Sequence, residues 1–138
     1  MNTGAYIVIA VVIISSLLGF MRIRTDGTVR SHKPGSYVTS EELGHTMGSA
    51  ATFIQFSSPF CQPCKATHDM VNKLITDKPE VAHVDLQVAD HLDLVNQLSV
   101  MRTPTTVLIN GKGHIEYRVE GAPRPGELAE ALAKVLES

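Results

Sequence analysis

The stretch Ala51-Thr52-Phe53-Ile54-Gln55-Phe56-Ser57-Ser58-Pro59-Phe60-Cys61-Gln62-Pro63-Cys64-Lys65 decides how this chain is read. Ala51 to Phe56 is rich in β-formers and aromatics and runs into Ser57-Ser58-Pro59, which predicts a strand with a hard stop. A helix is predicted from about Cys61 to Ile75, with Met70, Val71 and Leu74 as apolar positions, ending near Pro79. Two thiols three positions apart at the start of a helix can close into a small disulfide and reopen. Such a pair carries two electrons with no metal or organic cofactor. The chain has 2 cysteines, so both are committed to this site and a framework of structural disulfides is excluded.

Downstream, the pattern alternates between strands and helices. Val81 to Val88 reads as a strand and His91 to Leu98 as a helix; Thr105 to Ile109 and Ile115 to Val119 are strands joined by a turn at Asn110-Gly111-Lys112-Gly113. A last helix opens near Pro125 and shows one apolar face in Leu128, Ala131, Leu132, Val135 and Leu136. Upstream, Thr39-Ser40-Glu41-Glu42 is a capping box that opens a short helix through about Met47. The order α-β-α-β-α-β-β-α implies an α/β domain over residues 39–138, a mixed central sheet with helices on both faces. A chain of 138 residues holds one such core, and a net charge of −2 gives no reason to expect nucleic-acid binding.

Before this domain lies an uncharged run, Gly4 to Met21, interrupted by Ser15 and Ser16. Its roughly 18 residues reach about 27 Å as a helix, enough for a thin bilayer core. A cleaved secretory signal fits poorly: no Lys or Arg precedes the run, and no small-x-small cleavage site follows it. The expectation is one transmembrane helix at 4–21, then a polar juxtamembrane linker at 22–38 that contains Gly27, Pro34 and Gly35. Arg22, Arg24, Arg30 and Lys33 follow the helix against Asp26 alone, so the positive-inside tendency favours a cytoplasmic domain over the extracytoplasmic alternative.

The element order, Phe56, Phe60-Cys61-Gln62-Pro63-Cys64-Lys65, Thr103-Pro104-Thr105 and the Asn110-Gly111 turn together resemble the thioredoxin family over about residues 40 to 138. More narrowly, an N-terminal helix before a domain reading FSS-x-FC-x-PC resembles the membrane-tethered thioredoxin-like proteins of actinobacteria. A bare CxxC is a weak indication that zinc sites share. One at a strand-to-helix junction, with Thr-Pro about forty residues later opening a hairpin, is a strong one. The resemblance implies a thioredoxin-like fold and thiol-disulfide oxidoreductase activity, with Cys61 as nucleophile and Cys64 as resolving thiol. It also implies a cis peptide before Pro104, with Phe60, Thr103, Pro104 and Gly121 shaping the substrate groove. Pro63 would hold the dithiol geometry, and Lys65 is either an electrostatic aid to the Cys61 thiolate or an ordinary helix lysine. Gln-Pro between the cysteines resembles the reducing Gly-Pro type, so a protein-disulfide reductase is expected. Its partners would be disulfide substrates and an upstream thiol reductant, with no cofactor beyond the Cys61-Cys64 pair.

Two departures from the family stand out. Phe60 replaces the usual Trp, and Gln55 falls where the family has a buried Asp that relays a proton from the resolving thiol. Gln does not titrate, so Cys64 must lose its proton to water or another base. His68 shares a helix face with Cys61 and Cys64, which leaves a copper or zinc chaperone as the alternative from the binding class; the simpler reading is a solvent-facing histidine. A redox-inactive interaction module is a third reading. His45, His83, His91 and His114 are expected at the surface, and Asp85 and Asp90 are expected to solvate loops.

Overall fold

The computed structural model describes residues 3–25, 27–31 and 36–138. β2 (Ala51–Ser57) is buried at every position, because strands flank it and helices cover both its faces. It pairs parallel with β3 (Val81–Gln87) and antiparallel with β4 (Thr105–Asn110). β5 (Ile115–Glu120) and then β1 (Val29–Ser31) extend the sheet antiparallel, giving the order β1-β5-β4-β2-β3. This is the expected mixed α/β architecture.

Strand alternation divides the core in two. Ile54, Phe56, Val84, Leu86, Val107 and Ile109 face one side, against Leu43 of α2 (Ser40–Leu43) and Leu94 of α4 (Leu92–Gln97). Ala51, Phe53, Val81, Leu108 and Val119 face the other, covered by Val71 of α3 (Gln62–Ile75) and by Leu128, Ala131, Leu132 and Val135 of α5 (Pro125–Glu137). Each large side chain buried in this way contributes roughly 1.5–3 kcal/mol. The same alternation puts Gln55, His83 and Asp85 on the face that carries α3, and this positions the site.

Two local expectations need correction, the extent of the first short helix and the linker at 22–38. The capping box at Thr39 forms, with Glu42 N–H donating to Thr39 Oγ1 and Thr39 N–H to Glu42 Oε2. Its helix stops at Leu43 rather than Met47, because Gly44 takes a left-handed φ of 68° and turns its N–H back to Ser40 and Glu41. In the Asn110 turn the left-handed residue is Gly113 (φ 85°); at Gly111 the glycine is required by close approach, since a Cβ there would lie 2.2 Å from the Ser49 carbonyl oxygen. Finally, the stretch expected as a polar linker at 22–38 includes β1, which covers the β5 edge through Val29 to Ser31. Beyond it, Tyr37 bridges to His114, while Asp26 and residues 32–35 of that stretch lie outside the described residues.

α1 (Thr3–Thr25) contains an apolar span, Thr3–Arg24, of 22 residues with mean hydropathy 2.4, none of it buried against the domain. At ~1.5 Å per residue it is about 33 Å long, sufficient by length and composition to cross a bilayer.

Candidate functional site

Cys61 sits where β2 has ended and α3 begins. Its backbone is extended (φ −90°, ψ 101°), and its Sγ caps the helix by accepting the Cys64 N–H at 3.2 Å. Cys61 and Cys64 are joined in a disulfide across a Cα–Cα distance of 5.2 Å. Cys64 is buried, whereas Cys61 is partly exposed. The outer sulfur is therefore the one an incoming disulfide can reach. Pro63 lies in the first helical turn, where its missing N–H costs no helical bond; its carbonyl accepts from Thr67 Oγ1 at 2.8 Å.

Phe60 holds a left-handed φ of 61° and is fully exposed, so its ring stands in solvent next to Cys61. Apolar groups gain nothing from water, so this placement suits a contact surface better than a core position. The Thr103-Pro104 peptide is cis, and the Thr103 hydroxyl hydrogen-bonds the Ser58 hydroxyl at 2.8 Å, joining the loop before Cys61 to the loop before β4. Gly121 (φ 88°) donates its N–H to the Pro104 carbonyl at 2.8 Å. Phe60, Cys61, Cys64, Lys65 and His68 line an open cleft of about 410 Å³ together with Asp85 and Gln87.

Beneath the dithiol lies a polar chain that the sequence did not reveal. Gln55 is fully buried; its Nε2 donates to the Cys64 carbonyl at 2.7 Å and to Ser57 Oγ at 3.1 Å. Both amide hydrogens are thus used, which fixes the orientation of the group. Gln55 Oε1 then faces His83 Nε2 at 3.2 Å, and His83 Nδ1 faces Asn72 Oδ1 at 2.8 Å. Burial, and then the neighbouring charge of His68, push the His83 imidazole down to about 4 against the pull of Asp85. A neutral ring has one N–H, and the fixed Gln55 oxygen requires it at Nε2; the Asn72 amide then turns to donate to Nδ1. His83 is therefore half-buried and bonded, not a surface residue. Thr106, cross-strand from Gln55, has a buried hydroxyl with no partner among the described residues.

His68 completes the flank. Its Nδ1 lies 3.2 Å from Asp85 Oδ2, and its ring lies against His83 with centroids 4.9 Å apart. Asp85 therefore meets a histidine instead of solvating a loop. Among the described residues, no group of three or more His, Cys, Asp or Glu side chains is arranged to hold a metal ion. Asp85 lines the cleft and His83, Asn72 and Thr106 lie behind it around Gln55; sequence reasoning gave none of the four a part in the site. The available clue was spacing: Cys64, His68 and Asn72 recur every fourth residue along α3, and Asp85 and His83 alternate along β3. Four helical residues rise about 6 Å and two strand residues about 6.6 Å, so the two rows stay in step.

Comparison with known proteins gives one family. The profile of the family described as Thioredoxin matches residues 37–134. Among solved structures, the chain is similar to mitochondrial thioredoxin 3 of Saccharomyces cerevisiae in its oxidized form, at 28% identity over 62% of this chain and 79% of that one, with a TM-score of 0.55. It is similar to Fasciola hepatica thioredoxin at 23% identity, 69% and 86% coverage and TM-score 0.55. Thioredoxin from Trypanosoma brucei brucei matches at 20% identity, 79% and 97% coverage and TM-score 0.59. Among curated proteins nothing matches.

Proposed function

Because the chain belongs to the thioredoxin family, we propose that it is a protein-disulfide reductase that works through Cys61 and Cys64 and is anchored to a membrane by α1. The observation that carries the reading is the Cys61 sulfur at the N-terminus of α3, accepting a backbone N–H. In the reduced protein the same N–H groups and the positive end of the helix dipole favour a thiolate at Cys61. That thiolate attacks one sulfur of a substrate disulfide: the Cys61–substrate bond forms, the substrate bond breaks, and a substrate thiol departs. Cys64 then attacks Cys61, which releases the second substrate thiol and leaves the Cys61–Cys64 disulfide with two electrons transferred. In this reading Phe60 offers apolar surface to the substrate, and the backbone of Thr103, beside cis Pro104 and Gly121, receives its extended segment. Pro63 keeps the first turn rigid, Lys65 sits on the rim beside Cys61, and Gln55 braces Cys64 from below.

The test is two-electron reduction of insulin or a peptide disulfide by the pre-reduced full-length protein in detergent. One disulfide reduced per dithiol is expected, abolished by Cys61→Ser and more slowly than by a general thioredoxin. Activity that survives Cys61→Ser would sink the proposal. For the anchor, the length and apolarity of α1 support spanning, and Arg22, Arg24 and Arg30 beyond it favour a cytoplasmic domain. A membrane-impermeant thiol reagent should label Cys61 only after lysis; labelling of intact cells places the domain outside. The cell's own thiol reductant would recharge the dithiol.

A further inference from the structure

We propose that His68, oriented by Asp85, is the base that takes the proton from Cys64 when Cys64 resolves the mixed disulfide. The inference rests on the dithiol reading above and assigns the proton acceptor which that reading leaves open. Cys64 is buried and reacts only as a thiolate, so its proton needs a destination. Gln55 does not provide one. It cannot titrate, both its N–H groups already donate to Cys64 O and Ser57 Oγ, and its oxygen is engaged by His83. Nor is His83 suited, because its Nε2–H is directed to Gln55 and the ring is held neutral by burial.

His68 is the candidate that shares a helix face and a cleft with Cys64. It stands four residues after Cys64 on α3, where side chains at this spacing have Cβ atoms about 5–6 Å apart, and it lines the same cleft as Cys61 and Cys64. Its Nδ1 faces the Asp85 carboxylate at 3.2 Å, which selects the tautomer with the proton at Nδ1. Nε2 is then a lone-pair acceptor, able to receive the proton directly or through one water in the open cleft. The carboxylate also stabilises the imidazolium that forms, as in other nucleophile-base-carboxylate arrangements. Around His68 the titratable groups are Asp85 and His83 on β3 and Lys65 and Asp69 on its own helix; β2 presents the neutral Gln55. A neutral His83 lets the imidazolium form without a second cation stacked on it.

The step balances. The Cys64 S–H proton passes to His68 Nε2, the Cys64 thiolate attacks Cys61 Sγ, and the Cys61–substrate bond breaks. The departing substrate thiolate takes the proton from the imidazolium. Two electrons have passed from the dithiol to the substrate disulfide.

Pre-reduced full-length protein in detergent is mixed with a fluorogenic peptide disulfide, and the first and second thiol releases are timed across pH. His68→Gln is expected to slow the second release about 10²-fold and to flatten its pH dependence, with the first release within about twofold of wild type. Asp85→Asn should cause a smaller loss of the second release, because the imidazolium has lost the carboxylate that orients it. Free imidazole should restore the second release of His68→Ala, which a merely structural role would not allow. A second release in His68→Gln that matches wild type overturns this inference alone. A slowed release with an unchanged pH profile and no imidazole rescue also overturns it. A wild type that never makes the second release overturns it together with the dithiol reading.

Discussion

Mild acid should weaken this domain through His83, and the sign and size follow from its surroundings. The folded ring titrates at about 4 and the ordinary value is 6.5, with burial the larger cause and the charge of His68 the second. Between these values the unfolded chain binds more protons than the folded one, so stability rises with pH across the window and falls as pH drops from 6.5 toward 4. Below the window the full difference would be about 3.4 kcal/mol at ~1.36 kcal/mol per pH unit. The ring is only half-buried, and Asn72 can turn its oxygen to accept from a protonated Nδ1, so roughly 1–2 kcal/mol is the expected loss. For a domain of this size that corresponds to roughly 5–10 °C in Tm. Thermal unfolding of the oxidised full-length protein, followed by near-UV dichroism between pH 7 and 4.5, measures it. His83→Gln removes the titrating group, so the gap between variant and wild type should narrow as the pH falls. The lowered Glu42 and Glu130 carboxyls do not interfere, since their contribution is lost only as pH falls below their ordinary value of 4.5. A wild-type Tm that stays flat over this range, or a His83→Gln slope equal to the wild-type slope, would refute the reasoning.

Gln55→Leu should cost roughly 2–4 kcal/mol, because it strands His83 Nε2–H and removes the donor to Cys64 O and Ser57; a lower urea midpoint with unchanged m-value reads this out. Thr39→Ala should cost about 1 kcal/mol by removing the side-chain cap of α2, measured in the same urea titration. Phe60→Gly should leave the Tm unchanged or slightly higher, since glycine accepts the left-handed φ of 61° without strain. It should nevertheless slow the first thiol release from a peptide disulfide, and an unchanged rate would show that the exposed ring does not contact substrate.

What could be read in the sequence was what local pattern decides. β2, α3 and the β4–β5 hairpin each carry their own periodicity and stop residues, and the capping box at Thr39 is spelled out in consecutive positions. β1 carries no such pattern. It is an edge strand whose existence depends on a β5 partner far along the chain, so only the assembled sheet defines it. Gly44 could have been recognised as the end of α2, but a glycine also tolerates a helix interior, and its left-handed cap needed the structure. His83 was missed for a different reason. Alternation along β3 assigns the ring to a face, but says nothing of which side chains α3 lays over that face. The cis bond at Thr103-Pro104 was expected from resemblance, because the sequence of an X-Pro pair does not by itself select the isomer.

An amide beneath Cys64 differs from a carboxylic acid in more than its inability to titrate. An acid beneath the resolving cysteine can accept its proton but, once ionised, cannot donate to a backbone carbonyl. Gln55 does the reverse: it ties Cys64 O and Ser57 to the centre of the sheet and leaves deprotonation to the flank. On that flank His68 and Asp85 stand at the cleft wall with side chains 41% and 28% exposed, so in the free protein water screens their interaction. A substrate broad enough to cover the cleft excludes that water and strengthens the carboxylate's hold on the imidazolium at the moment Cys64 must ionise. A small disulfide that touches only Cys61 leaves the pair wet. On the proposed mechanism, discrimination would then arise at the second chemical step as well as in binding. It would also tie substrate size to the same two residues, His68 and Asp85, that the proposed step uses to deprotonate Cys64.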